Sequence, residues 1–393
     1  MKVLNVCETA HGGVGIYQKV LSELEARGHQ MHHLLPAQHA DFVSGGIRRH
    51  LFDRPRRGPL AVFNMVRAMR ALISELDPDI VFFHSTFALA GLAVLRSSGD
   101  RRPALYCPHS WAISTVPEVG LKARVVRGVE GRLAGLADRV VCVSEEEKAL
   151  AERLGYLGQM VVIENAVLPS AESADETLFA NEPEALHLLF VGRLDPQKGY
   201  DVLLDAMSLA ARPDLRLHLV GGSVRGDGAN LVLPPGARLA GWVPSDQIDS
   251  WYRSADALVV PSRWEGLPLV IPEALRNGTP VLCSDRSGMP ALVTPGETGA
   301  VFPLETRSLA ALLAGLDKNA LRRMRPSCRA AYDTRFTAER LCNEMNALFD
   351  EVVASRRTRA TVPRKTDRTG LGAPPAPSIT LQVAPEPTGS CDR

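Results

Sequence analysis

Short β-branched runs alternate with helix-period segments along most of this chain, and that alternation limits the fold more than any single motif does. Buried strands separated by amphipathic helices can pair only as a parallel sheet with helices on its faces. KVLNVC (2–7) reads as the first strand, followed by a glycine turn and a helix from Ile16 to Arg27. Further strands are predicted at 30–35, 79–84, 104–107, 139–143 and 161–164. A second series is predicted at 186–191, 215–220, 256–260 and 280–283. A chain of 393 residues exceeds one ordinary core, so the two series predict two doubly wound α/β domains in tandem.

The first domain is expected over 1–170 and the second over 185–335, joined by a polar, acidic linker at 171–184. FTAERLCNEMNALFDEVV has helical apolar spacing and predicts a terminal helix at 336–354 that packs back toward the first domain. From Ser355 the chain turns basic and then Pro/Ala-rich, a composition that cannot bury a core, so 355–393 is expected to be a disordered tail.

Charge and cysteine usage exclude several classes. Lys plus Arg (45) nearly balances Asp plus Glu (44), so no global field points to nucleic acid. The seven cysteines are scattered and form no C-x-x-C pair, which argues for reduced thiols rather than a disulfide framework or a zinc site. The start MKVLNVCETAHGGVG lacks the pattern of a signal peptide, and no run approaches 18 apolar residues. A soluble cytoplasmic protein is expected, at most peripheral to a membrane.

Three stretches sit where chemistry is expected in open α/β sheets, at the carboxyl ends of strands. HGGVGIY (11–17) follows the first strand; its glycines permit close backbone approach to an anion, although it is not G-x-G-x-x-G. VGRLDPQKGYDVLLDA (191–206) places Arg193 and Lys198 five apart after a strand, where a planar fork and a point charge could bracket a diphosphate. PSRWEGLPLVIPEALRNGTPV (261–281) puts Glu265 in a crevice loop and Glu273 in the first turns of a short helix. Carboxylates there can accept paired hydrogen bonds from sugar hydroxyls. Each stretch also has a plain reading, as a βα turn, an exposed basic loop and a helix-dipole acid.

Taken together, R-x4-K, Gly241-Trp242-Val243 and the E-x7-E segment resemble the retaining glycosyltransferases of the GT4 type, which have the GT-B fold. The likeness runs through SGMP (287–290) and TPGETGAVF (294–302) and is strongest over 186–302. The resemblance implies two Rossmann-like domains facing a cleft, with a nucleotide sugar, UDP- or GDP-linked, mainly on the second domain. It implies that Arg193 and Lys198 hold the donor diphosphate, that Glu265 contacts the transferred sugar, and that Glu273 meets the ribose. Gly12, Gly13, Trp242, Val243, Gly266, Leu267 and Leu269 would line the donor pocket, and His109 in CPHSWAI matches the family's histidine near the reacting carbon. No bound metal or other cofactor is implied. The acceptor would be a saccharide or lipid-linked saccharide, in a pathway such as exopolysaccharide or lipopolysaccharide synthesis. Two positions depart from the family pattern: Glu164-Asn165-Ala166 stands where P-N-G is frequent, and Ala291 where G-x-P-E has its acid.

Other activities fit the same fold, namely a nucleotide-sugar epimerase or a non-catalytic partner subunit. Residues 42–72 add a separate hint, with seven arginines against the single acid Asp53 and the helix-period run LAVFNMVRAMRALI. Such a helix either lies on anionic lipid or packs its apolar face on the first sheet.

Overall fold

The computed structural model describes residues 1–43, 47–116, 119–170, 174–222 and 232–361. In the first half, β1 (Lys2–Cys7), α1 (Gly13–Ser22), β2 (Gln30–Pro36), β3 (Arg48–Phe52), α2 (Pro59–Leu76) and β4 (Ile80–His84) follow in order. They continue as α3 (Leu89–Ser97), β5 (Ala104–Cys107), α4 (Leu121–Ala134), β6 (Arg139–Cys142), α5 (Glu145–Arg153) and β7 (Met160–Val162). The second half runs β8 (Leu186–Val191), α6 (Tyr200–Ala210), β9 (Leu215–Val220), β10 (Ala237–Gly241), α7 (Ile248–Ser254) and β11 (Ala257–Val260). It closes with α8 (Val270–Arg276), β12 (Val281–Ser284), β13 (Gly299–Phe302), α9 (Thr306–Ala314), α10 (Lys318–Arg335) and α11 (Ala338–Thr361).

Both sheets are parallel. The first has the order β3-β2-β1-β4-β5-β6-β7 and the second β10-β9-β8-β11-β12-β13. In each, the first strand lies inside the sheet: Val3 is opposite both Met31 and Ile80, and β8 pairs with both β9 and β11. The strand order therefore reverses at β1/β4 and at β8/β11, and a crevice opens at the carboxyl ends of those pairs. This is the two-domain Rossmann-like GT-B arrangement.

Three strands were not anticipated, β3, β10 and β13, and all are sheet edges. β3 (RRHLF) and β10 (ARLAG) are mostly exposed, so neither carries the apolar run that marks a buried strand. β3 also takes Arg48 and Arg49 out of the basic segment read as a membrane hint. The α2 helix buries Ala61, Met65, Met69 and Leu72 against the first sheet, while Arg54 and Arg57 pair with the buried Glu8. The packing reading of 42–72 thus accounts for that buried stripe, while Leu60 and Phe63 of the same helix stay exposed. Among the described residues no helix is long and apolar enough to cross a membrane.

The terminal helix differs from expectation at its end. It continues through Thr361, past the predicted start of the tail at Ser355. ASRRTRAT contains no glycine or proline, and Pro363 is the first residue that stops a helix. Arg356 pairs with Asp138 and Arg139 with Glu351, tying this end to the first sheet. Residues 362–393 of the predicted tail, and 171–173 of the predicted linker, lie outside the described residues. One apolar cluster runs unbroken from Tyr17, Leu21 and Ile80 through Phe336, Leu341 and Phe349 to Leu267, Ile271 and Val281. The two sheets therefore share a core carried across by α10 and α11. Six cysteines are free and buried, and Cys391 lies outside the described residues.

Candidate active site between the two sheets

A single cavity of about 1050 Å³ lies where the two crevices face each other, and all twelve residues singled out in the sequence line it. On the second-domain wall the R-x4-K stretch folds as a turn. Asp195 accepts a hydrogen bond from the Lys198 backbone N–H at 3.2 Å, Pro196 opens a short 3-10 turn, and Gly199 (φ 66°) ends it before α6. Lys198 is thereby aimed at the loop after β11, and its Nζ donates to Glu265 Oε1 at 2.7 Å. Gln197 stitches the two loops, donating to the Trp264 carbonyl at 3.1 Å and accepting from the Arg263 N–H at 2.7 Å. Arg193 Nη2 lies 3.0 Å from both Asp195 Oδ2 and Gln197 Oε1. The Glu265 N–H donates to Ser287 Oγ at 3.2 Å. Glu273, in α8, accepts from Tyr252 Oη at 2.8 Å, and burial raises its carboxyl pKa.

The first-domain wall comes close. A Cβ on Gly13 would stand 3.6 Å from Leu269 Cδ1, and one on Gly266 would stand 3.1 Å from the Ser110 nitrogen. Only small residues fit where the walls approach this closely. Asn165 Nδ2 donates across to the Leu267 carbonyl at 3.3 Å. Trp242, 60 % exposed, stands at the mouth with His11 against its ring at 6.2 Å. Val243 lines the cavity beside it.

His109 occupies a strained turn, with φ 52° followed by φ 89° at Ser110. Glu147 holds that turn. Its carboxylate accepts from the Ser110 N–H at 2.6 Å and from the Val143 N–H at 2.7 Å, and burial pushes its pKa up to about 7.

The tautomer of His109 follows from a chain of contacts. Asn5 Nδ2 donates to the His32 carbonyl at 3.3 Å, so its Oδ1 faces His84 and accepts from His84 Nε2 at 3.1 Å. His84, kept neutral by burial, then has a bare Nδ1, to which His109 Nε2 donates at 3.1 Å. Burial also lowers the His109 pKa to about 3, so the ring is neutral and its Nδ1 is a free acceptor. His84, Cys107 and His109 offer ligand atoms within 4.8 Å of one another. Both His84 nitrogens are already hydrogen-bonded, and burial raises the Cys107 thiol pKa well above its usual value. The trio therefore fits a hydrogen-bonded cluster better than a metal site.

Replacing His84 with phenylalanine keeps the ring volume but removes the acceptor of the His109 proton. For the sugar transfer that the sequence resemblance implies, we expect kcat to fall about tenfold, with the donor KM within about twofold. Unchanged kcat in a folded His84→Phe protein would remove the relay from the mechanism. The depressed histidine pKa values also fix a sign. The unfolded histidines take up protons below about pH 6.5. Stability contributed by the neutral buried rings is therefore full above that pH and is lost as pH falls toward about 3. Urea titrations between pH 8 and pH 4 read this directly.

The comparisons with known proteins match both walls of the cavity. The model described as "Glycosyl transferase 4-like domain" matches residues 12–166, and the one described as "Glycosyl transferases group 1" matches 185–319. The chain is 30 % identical over 307 residues to a GDP-mannose-dependent alpha-mannosyltransferase of Mycobacterium tuberculosis, covering 73 % of this chain and 78 % of that protein. The chain belongs to the group 1 glycosyltransferases of the GT4 type. It is 26 % identical to a 41.2 kDa protein of the cps region of Klebsiella pneumoniae, over 78 % of this chain and 87 % of that one. A solved Anabaena structure, Alr3699/HepE in complex with UDP-glucose, superposes with a TM-score of 0.72 at 20 % identity, covering 90 % of this chain and all of that one. This glycosyltransferase is thus an enzyme of the nucleotide-sugar-using class.

Several residues that hold the cavity groups of the glycosyltransferase in place escaped sequence reasoning. Glu147 stands in the capping signature Ser144-x-x-Glu147, and Ser144 Oγ does accept from the Glu147 N–H at 3.1 Å. One carboxylate oxygen bonds back to the Val143 N–H at the helix start, but the other reaches the His109 turn, which no local pattern reveals. Tyr252, Ser287 and His84 likewise matter only through partners distant in sequence. At the two departures from the family pattern, Arg335 binds both. It pairs with Glu164 at 2.6 Å and donates to the Ala291 carbonyl at 2.6 Å.

Proposed function

We propose that this glycosyltransferase moves a sugar from a UDP- or GDP-linked donor to an acceptor hydroxyl with retention of anomeric configuration, in the synthesis of a polysaccharide or related glycoconjugate. The observation that carries this reading is the Lys198–Glu265 pair facing His109 across one cavity. Lys198 and Arg193 are placed to neutralise the diphosphate as it leaves an oxocarbenium-like centre, without a bound metal. An incoming phosphate competes for Lys198 and releases Glu265 to the hydroxyls of the transferred sugar. Glu273 keeps one oxygen for the ribose, the other being taken by Tyr252. The exposed face of Trp242 is available to the base.

The cavity-lining carboxylates are Glu130, Glu265 and Glu273; in this reading Glu265, once released by phosphate, is taken up by the sugar's hydroxyls, and Glu273 by Tyr252 and the ribose. Glu130 accepts from Thr86, the Ala112 N–H and Tyr156. Same-face attack, with the leaving phosphate taking the acceptor's proton, therefore fits better than a covalent glycosyl-enzyme. Both nucleotide types find support among similar proteins, one named for GDP-mannose and one solved with UDP-glucose. The polysaccharide role is supported by the cps-region relative.

A melting screen across UDP, GDP and ADP tests the donor. Saturation at about a hundredfold above Kd adds about 2.7 kcal/mol and raises the melting temperature by several degrees for the matching base. The anomeric proton of the product, read by NMR, tests the stereochemistry. An inverted product, or donor conversion that needs no acceptor, would overturn the reading; the latter outcome would indicate an epimerase.

A further inference from the structure

One carboxylate ties together separate pieces of the first-domain wall. Glu147 stands in the first turn of α5, where a capping acid needs only one oxygen. Its Oε2 does that local work, accepting from the Val143 N–H at 2.7 Å. Its Oε1 leaves the helix and accepts from the Ser110 N–H at 2.6 Å. Trp111 Nε1 donates to the Glu147 carbonyl at 2.8 Å, so one residue grips the Ser110–Trp111 step twice. Two consecutive residues with left-handed φ, His109 and Ser110, persist only where their surroundings over-determine them.

The opposite wall closes over the same group. A Cβ on Gly266 would stand 3.1 Å from the Ser110 nitrogen, 3.3 Å from Val143 Cγ2 and 3.5 Å from Glu147 Oε1. Gly266 directly follows Glu265, the partner of Lys198. The carboxylate therefore lies under the point where the walls meet, with His109 on one side of the junction and Glu265 on the other.

No lysine or arginine pairs with Glu147 among the described residues. The groups around it are Glu130 of α4, Tyr17 of α1, Tyr106 and Cys107 of β5, His109 after β5, and Cys142 of β6. Burial keeps the phenols and thiols protonated and His109 neutral, while Glu130 has the same sign as Glu147. On its own helix Glu145 and Glu152 add like charge, and Lys148 lies 4.0 Å from Glu152. Arg340 of α11 is spent on Glu344 and on the Glu164 and Asn165 carbonyls. The anion is thus held by two fixed backbone N–H groups. A protonated carboxyl carries a hydroxyl that donates, and neither N–H can turn round to accept it, so uptake of a proton costs one of the two bonds.

We propose that Glu147 is a positioning residue for sugar transfer: as a carboxylate it clamps the His109–Ser110 turn beneath the Gly266 loop, and on taking up a proton it lets that turn go. This rests on the transfer reaction proposed above and adds a proton switch to its first-domain wall. Burial raises the carboxyl's pKa to about 7, so the switch works near neutral pH. The active form is the ionised one, so kcat should fall as pH drops through about 7 and reach about a tenth of its plateau at about pH 6. The buried His84 and His109 rings stay neutral across that window.

The test uses the full chain. Glu147→Gln keeps the shape but offers one carbonyl oxygen to two N–H groups. It should lower the plateau kcat about tenfold, hold the donor KM within about twofold, and leave kcat flat between about pH 6 and 8. Adding Ser110→Gly removes the left-handed strain, so Glu147→Gln/Ser110→Gly should regain at least about threefold in kcat, still without the acid limb. The Ser110 amide proton, followed by NMR without substrate, should titrate near pH 7 in the parent and stay still in Glu147→Gln.

An acid limb that survives in Glu147→Gln belongs to another group, such as the leaving phosphate, and overturns the proposal. A Glu147→Gln protein that melts lower but keeps the parent's kcat and pH profile also overturns it, since the role is then structural only. If that variant does not fold, the parent's Ser110 amide decides: titration near pH 7 supports the clamp, and its absence overturns it. A parent whose amide titrates but which uses no nucleotide sugar overturns the transfer reading while supporting the clamp itself.

Discussion

Lys198→Ala is expected to lower kcat/KM for sugar transfer by about 10³-fold, the scale seen when one preorganised donor is removed from a developing anion. The loss should fall mainly on kcat, because the diphosphate carries more charge in the transition state than in the bound donor. Lys198 also neutralises Glu265, whose side chain is 9 % exposed, at 2.7 Å. Its removal leaves a mostly buried carboxylate unpaired and should cost stability as well. A double variant separates the two effects. Lys198→Ala/Glu265→Ala should recover the lost melting temperature while staying inactive, which steady-state kinetics and thermal melts read on the same preparations. Near-normal turnover in a folded Lys198→Ala protein would sink the site assignment.

Gly199→Ala is expected to destabilise the protein by more than about 3 kcal/mol, through a clash that no rotamer can relieve. Gly199 has φ 66°, and a Cβ there would stand 1.9 Å from the Pro261 carbonyl oxygen. Backbone must therefore move at one of two places. Lys198 precedes the glycine, and Pro261 opens the loop that carries Glu265, so either movement separates the 2.7 Å pair. Even the folded fraction should lose activity. Gly28 supplies the control, because its φ is 82° and nothing lies within 4 Å of a Cβ there. Gly28→Ala should cost only the left-handed conformation, about 1–2 kcal/mol. Urea unfolding of both variants decides the matter: equal losses would show that the contact with Pro261 is not what constrains position 199.

The strands inside each sheet were legible because they are buried on both faces. DIVFFH, LHLLFV and LRLHLV carry apolar character in nearly every position, and helices on both sides require that. The edge strands RRHLF and ARLAG have water on one side and a partner far along the chain, so their composition matches that of loops. The same distinction governs the site. Arg193, Lys198, Glu265 and Glu273 were readable because each follows a strand end inside one short motif, and strand ends in such sheets face the crevice. His84, Glu147 and Tyr252 were not, since each acts on a group 21 or more residues away, as the hydrogen bonds to His109, Ser110 and Glu273 record. The reading of 42–72 was open for a related reason: amphipathic spacing says that a face must be covered, and not by what, and α2 covers Met65, Met69 and Leu72 with the sheet while Leu60 and Phe63 stay exposed.

By itself the sequence determined two parallel α/β units, the turns that end their inner strands, and the residue types offered at those ends. These are local properties, set by side-chain period, by glycine and proline geometry, and by burial within a few residues. Only the tertiary structure decided that Gly13 would meet Leu269, that Gly266 would meet Ser110, and that Glu147 would reach the same Ser110. Those outcomes depend on how two sheets share one core through α10 and α11, and contacts of that range are set by packing rather than by any segment's own preference.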